Sequence, residues 1–228
     1  MKKWTTKHDI TVIRLDGVRC NCFVIQEKDE VWLIDASSSM DRGRMLRQLE
    51  ENQIHSISGI ILTHAHINHV ENAAWFAREY QCPVYIHDSE LHFVQTGDCV
   101  IPKAAKKSRE WIEKIVNFLP FLNRYPACRD AQAIPFEEPL IWNEFIKIIE
   151  TPGHSEGSIS IVIDDEIAIV ADLMRRVPNG GIELSWANQP GLVEVSWKKL
   201  LQEQCEWFLP SHGKEIHRRL IEKVVNKE

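Results

Sequence analysis

Short runs rich in isoleucine and valine recur along this chain and alternate with stretches of helical period. That alternation narrows the fold to a layered α/β sheet. "TVIRLDG", "NCFVIQ" and "VWLIDA" read as consecutive strands joined by turn residues, and "ISGIILT" and "CPVYIH" as later ones. Between them, 42–52 places Met45, Leu46 and Leu49 on one helical side, and 70–80 is also helical in period. In the second half "EFIKIIET", "GSISIVID", "EIAIVAD" and "EWFLPSHG" read as strands, with helices expected near 192–204 and from close to Lys214. A long loop is expected over 175–191.

The pattern changes between the two strand-rich halves. "SELHFVQTG" is helical in period, and a second stretch puts Ala104, Ser108, Trp111, Ile112 and Ile115 on one face. Residues 120–139 are broken by prolines and read as irregular. The expectation is a single domain over 1–228 with an insertion at about 97–143.

A length of 228 residues suffices for one large core. The net charge of −6 disfavours a general nucleic-acid binder, which would carry a basic surface. The two lysines of "MKKWTTKHDI" precede no apolar run, so no signal peptide is read there. Nowhere does the chain reach the roughly 18 apolar residues that span a bilayer, and a cytoplasmic, soluble protein is expected. None of the six cysteines forms a CxxC pair. Cys20 and Cys22 would share one face of a strand, either as two buried thiols or as a metal or redox pair.

The chemistry gathers where strands end. His64 and His66 follow "GIIL", and residues i and i+2 of an extended chain point the same way, so both rings could face one ion. Asn68 and His69 come next, at the turn into a helix. His154 follows "FIKIIE", Asp172 follows "EIAIVA", and His212 follows "EWFL". Strand ends on one edge of a layered sheet converge, and such edges hold active sites. Each residue alone has a plain structural role open to it, a cap or a surface turn. The ordered set points to a metal centre.

These pieces, "THAHINH", "TPGHSEGS", "VADLM" and "PSHG", with "VWLIDAS" near the start, resemble the metallo-β-lactamase-fold superfamily, in its order and over essentially the whole chain. The resemblance implies an αββα sandwich, two mixed sheets flanked by helices, holding one or two metal ions: zinc, with iron or manganese as alternatives. It implies His64, His66 and His154 as ligands of a first metal, and position 68, His69 and His212 as ligands of a second. Asp172 would bridge both, and Asp35 would support the site from behind its ligands. The chain departs from the pattern H-x-H-x-D-H at Asn68, where an aspartate is expected. An amide keeps one carbonyl oxygen but loses charge and basicity, so the second metal should bind more weakly and proton transfer should suffer.

The implied activity is hydrolysis of a small-molecule ester, thioester or lactone by a metal-bound hydroxide, as in the glyoxalase II-like and lactonase-like branches, with Asp172 and position 68 as the catalytic pair. The rate should be reduced by Asn68. Two other readings stay open: a catalytically impaired, metal-binding member that acts as a ligand-binding protein, and a phosphodiesterase or nuclease type. The partner expected is a small-molecule substrate, with no nucleic acid and no membrane; an apolar insertion face could support a homodimer. Arg175 and Arg176, just past Asp172, stand where they could meet an anion near the metals. Trp111 and Tyr125, with Phe118, Phe121, Phe136 and Trp142, either wall a cleft for substrate or pack the insertion onto the sheet. Lys103, Lys106, Lys107 and Arg109 read as a solvated helix face.

Overall fold

A computed structural model describes residues 1–99, 124–135, 140–177, 180–183 and 186–226. They fall into two compact units: residues up to 99 with 124–134, and residues from 135 on. Among the described residues no helix is long and apolar enough to cross a membrane.

The first unit is built on a seven-stranded sheet whose spatial order is its chain order: β1 (Lys2–Thr5), β2 (Thr11–Leu15), β3 (Cys22–Glu27), β4 (Glu30–Ile34), β5 (Gly59–Ile61), β6 (Val84–Ile86) and β7 (Gln132–Ala133). The strands from β1 to β4 pair antiparallel; from β4 to β7 they run parallel. That switch follows from the connections. Tight turns join the early strands, whereas parallel neighbours need crossovers, supplied by α1 (Arg42–Glu51) and α3 (Ala73–Tyr80). Ile13, Leu15, Val24, Leu33, Ile60, Leu62 and Phe76 form its core.

The sequence reading is corrected here at two places. The edge strand β1 was not expected, because its lysines and alternately exposed residues carry no apolar run; charged residues suit an edge that must not template further pairing. The single helix expected over 70–80 is two: α2 (Ile67–Val70) and α3. Buried Asn72 separates them, its Nδ2 donating to the carbonyls of Ala36 and Ser38 at 2.9 and 2.6 Å. The helix expected at 89–97 is α4 (Asp88–Thr96), whose first turn is capped by His87 Nδ1 accepting from Ser89 N, and which ends on Gly97 in left-handed backbone.

The second unit holds a six-stranded sheet in the order β15–β14–β11–β10–β9–β8: β8 (Leu140–Ile141), β9 (Ile146–Glu150), β10 (Ile159–Ile163), β11 (Ile167–Ala171), β14 (Trp207–Pro210) and β15 (Ile216–His217). All five residues of both β10 and β11 are buried, so these strands are covered on both faces. Burying such an isoleucine contributes about 1.5–3 kcal/mol. β11 and β14 pair in parallel across α5 (Pro190–Leu200), which starts on a proline whose missing N–H costs nothing there.

Two more expectations change in this unit. The segment read as a loop over 175–191 contains a small hairpin, β12 (Arg175–Arg176) with β13 (Ile182–Glu183). The last helix, α6, spans Arg218–Val225 rather than starting near Lys214. Ile216 and His217 pair with Phe208 and Trp207 first, and His217 Nδ1 then accepts from Arg219 N at 3.1 Å to cap the helix. Within the span 97–143, residues 132–133 and 140–141 are strands of the two sheets. Trp111, Phe118, Phe121, Phe136, Lys103, Lys106, Lys107 and Arg109 lie outside the described residues.

Candidate metal centre

In the first unit β5 ends at Ile61, and the next few residues carry the histidines. His64, His66 and His69 are 1%, 3% and 0% exposed. The His64 ring lies 4.6 Å from that of His66, edge to face, and 4.0 Å from that of His69. A ligand nitrogen of His64 comes within 4.8 Å of one from His66, and likewise of one from His69.

Asp35 organises this cluster. It sits just past β4 with φ +62°, a left-handed conformation that aspartate tolerates better than most residues. Its Oδ1 accepts from Thr63 N at 2.8 Å, and both its oxygens lie within 3.0 Å of Thr63 Oγ1. Oδ2 meets His69 Nδ1 at 2.7 Å. Thr63 Oγ1 also contacts His64 Nδ1 at 3.0 Å. With Nδ1 engaged on both rings, Nε2 is the nitrogen left to face a metal, and a carboxylate behind a histidine fixes its tautomer and raises its basicity. Buried Glu90, from α4, accepts the backbone N–H of Ala65, the residue between His64 and His66.

Asn68 lies in the short helix α2, half-buried. Cys20 Sγ donates to its carbonyl oxygen at 2.7 Å. Cys20 and Cys22 are both buried. A hydrogen bond from Cys22 holds the Cys20 thiol below the usual range, while burial pushes Cys22 well above it.

The second unit presents its own cluster. Ala171 ends β11 in left-handed backbone, φ +46°, where the register with β14 shifts, and Asp172 follows. One carboxylate is bracketed by two imidazoles: Asp172 Oδ2 lies 3.6 Å from His154 Nε2, and Oδ1 lies 3.3 Å from His212 Nε2. His154 Nδ1 donates to the carbonyl of Trp186 at 2.8 Å, again directing Nε2 toward the carboxylate side. The loop carrying His154 is anchored by Asn188 N and Gln189 N, which donate to the carbonyls of His154 and Gly153 at 3.0 Å each.

The structure thus gathers His64, His66, His69 and Asp35 in one unit and His154, Asp172 and His212 in the other. Arg175 and Arg176 stand in the hairpin that follows Asp172. Tyr125 is 7% exposed and packs within the first unit's core; burial pushes its hydroxyl far above the usual phenol range. Trp111 lies outside the described residues. The sequence reading missed Thr63, Glu90 and the Trp186 carbonyl. Thr63 adjoins the first histidine and could have been suspected; Glu90 looks like any solvated residue of an amphipathic helix.

The family model described as "Metallo-beta-lactamase superfamily" matches residues 15–212. The chain is 28% identical over 164 residues to "Probable metallo-hydrolase YflN" of Bacillus subtilis, covering 66% of this chain and 59% of that protein. It is 31% identical over 152 residues to "Probable metallo-hydrolase MJ0888" of Methanocaldococcus jannaschii, covering 66% of each. The matches therefore span somewhat under two thirds of those relatives' own lengths. Among solved structures, TTHA1623 in a di-iron-bound form superposes with a TM-score of 0.64 at 22% identity, covering 91% of this chain and 94% of that one. The chain belongs to the metallo-β-lactamase superfamily and has its mixed α/β fold.

Proposed function

We propose that this protein is a metal-dependent hydrolase of a small-molecule ester, thioester or lactone, with zinc as its metal. The observation that carries the reading is Asp172, whose two carboxylate oxygens face the Nε2 atoms of His154 and His212 separately. A carboxylate offered on both sides suits a residue shared by two ions. His64, His66 and His154 would hold the first, and His69, His212 and Asn68 the second. The donor set fits: imidazole nitrogens whose Nδ1 atoms are engaged by Thr63, Asp35 and Trp186, with a carboxylate, match a borderline dication. TTHA1623 holds iron, which keeps iron among the outcomes of a metal determination.

When bound, such a metal acidifies water and polarises a substrate carbonyl. The chain's own residues do the rest. Asp35 holds the His69 ring through Nδ1, and Thr63 joins that carboxylate to His64. Glu90 holds the Ala65 amide, so the backbone between His64 and His66 is fixed. Asn68 can accept a hydrogen bond at its side-chain oxygen but offers no basic atom. Turnover should therefore be lower than with an aspartate at position 68.

Elemental analysis after zinc reconstitution, with a screen of ester, thioester and lactone hydrolysis, tests this. Zinc retained at one equivalent or more, with chelator-sensitive hydrolysis, is the expected result; a chain that retains no metal overturns it. Asn68 also favours a second reading, a metal-binding protein that holds a ligand without turning it over. Metal retained, with no hydrolysis by either the protein or its Asn68→Asp variant, would select that reading.

A further inference from the structure

A cavity of about 390 Å³ lies in the first unit, between one side of α3, the start of β6 and the segment 126–132 that enters β7. Small-molecule pockets run from roughly 300 to 1,000 Å³. It stands at the edge of the sheet opposite the histidines. The strands β5, β6 and β7 run parallel; Val84 begins β6 and Gln132 begins β7, whereas His64 follows the end of β5. The cavity is therefore built on strand starts, and the candidate metal ligands of this unit on strand ends.

Its walls are held in place by hydrogen bonds that involve no metal ligand. Ala74, Ala77 and Arg78 share one side of α3, and the two alanines leave space that a longer side chain would fill. Cys82 N donates to the Ala77 carbonyl at 3.1 Å where the chain turns from α3 toward β6. Cys128 N donates to the Val94 carbonyl at 2.9 Å, and Gln95 Nε2 to the Ala131 carbonyl at 3.0 Å, which pins the third wall to α4. Burial pushes the Cys82 thiol up, and burial with Asp130 pushes Cys128 up to about 11, so both sulfurs stay protonated and uncharged at neutral pH. With Ala77, Pro83 and Val84 they give the cavity an apolar lining. The charges belong to exposed residues, Arg78, Arg129 and Asp130. Arg78 on α3 and Asp130 on the facing segment both act on the Cys128 thiol, so they converge on the same space. Two cations against one anion leave one positive charge in excess, on a chain whose net charge is −6.

We infer that this cavity is a binding site for a small organic monocarboxylate, whose apolar body lies against Ala77, Val84 and the two thiols and whose carboxylate is taken by Arg78 and Arg129. A guanidinium fork matches a carboxylate bidentately. A single negative charge balances the excess at the rim, whereas a second would meet Asp130. A neutral ligand of the same shape gains the apolar contact alone, and a cationic one is repelled by both arginines. The site lies apart from the metal ligands, so ligand binding there needs no metal and does not rest on the hydrolase reading.

The test is calorimetric titration of the full chain, at low salt, with benzoate and hexanoate as probes, and with benzyl alcohol and benzylamine as their neutral and cationic counterparts. Each titration is made before and after metal chelation. We expect at least one carboxylate to bind at millimolar concentration or below in both states, benzyl alcohol to bind about tenfold more weakly than benzoate, and benzylamine not to bind. Arg78→Gln/Arg129→Gln, at two exposed positions, should weaken carboxylate binding about tenfold and leave benzyl alcohol unaffected. Ala77→Leu should abolish the binding of both, and Arg47→Gln, at an exposed position of α1, should change neither. Failure of both carboxylates to bind, unchanged binding in the double variant, or benzylamine binding as tightly as benzoate would each overturn the site. Binding lost on chelation while the circular-dichroism spectrum is unchanged would place the carboxylate on the metal and overturn it as well.

Discussion

Asp35 Oδ2 lies 2.7 Å from His69 Nδ1, with the two side chains 2% and 0% exposed. This contact joins residues 34 positions apart and orients the ring through the nitrogen that does not face the cluster. Asn tolerates the left-handed backbone that Asp35 adopts, so Asp35→Asn changes charge and hydrogen bonding with little backbone cost. Zinc affinity should fall by about 10–100-fold. Titration against a competing chelator measures it; an unchanged affinity would remove Asp35 from the site.

Glu90 offers a separate handle on the same loop. Truncation in Glu90→Ala leaves the Ala65 N–H buried without its carboxylate, which costs about 1–3 kcal/mol and loosens the backbone between His64 and His66. Glu90→Gln keeps an oxygen for that N–H and should recover most of the loss. Denaturant midpoints and zinc occupancy of the two variants would show the difference.

Position 68 bears on rate. Asn68→Asp restores a group able to take and return a proton, and kcat on whichever substrate the screen identifies should rise by about 10²–10⁴-fold. KM should change less, because the gain lies in proton transfer. A rise in kcat of under tenfold would place the proton acceptor elsewhere.

Alkaline stability follows from two buried thiols. Burial, with the Glu203 and Asp165 carboxylates nearby, pushes Cys205 up to about 12, and burial, with Asp130, pushes Cys128 up to about 11, from an ordinary value of 9.0. The folded state therefore binds these protons more tightly than the unfolded one. Their contribution is complete below pH 9 and is lost as pH rises from there through about 11 and 12. Denaturant midpoints should fall over that window, and the fall should be shallower in Cys205→Ala, whatever its midpoint at pH 7.

Much of this protein could be read along the chain. Buried strands such as "ISIVI" and "IAIVA" declare themselves as unbroken apolar runs, and the residues that end them, His64, His66, His154, Asp172 and His212, stand at the positions where the structure gathers them into two clusters. Local periodicity and strand ends are properties of neighbouring residues, so sequence alone determines them. Tertiary structure decided what depends on distant partners. The edge strand β1 and the short β15 exist because neighbouring strands pair with them, not because their own residues are apolar. Glu90 reaches Ala65 across 25 positions, and a polar residue on a helix looks the same in sequence whether it meets water or a buried amide. Likewise Arg175 and Lys214, 39 residues apart in sequence, become one basic wall only because Gly213 lets two backbone segments approach more closely than any side chain would permit.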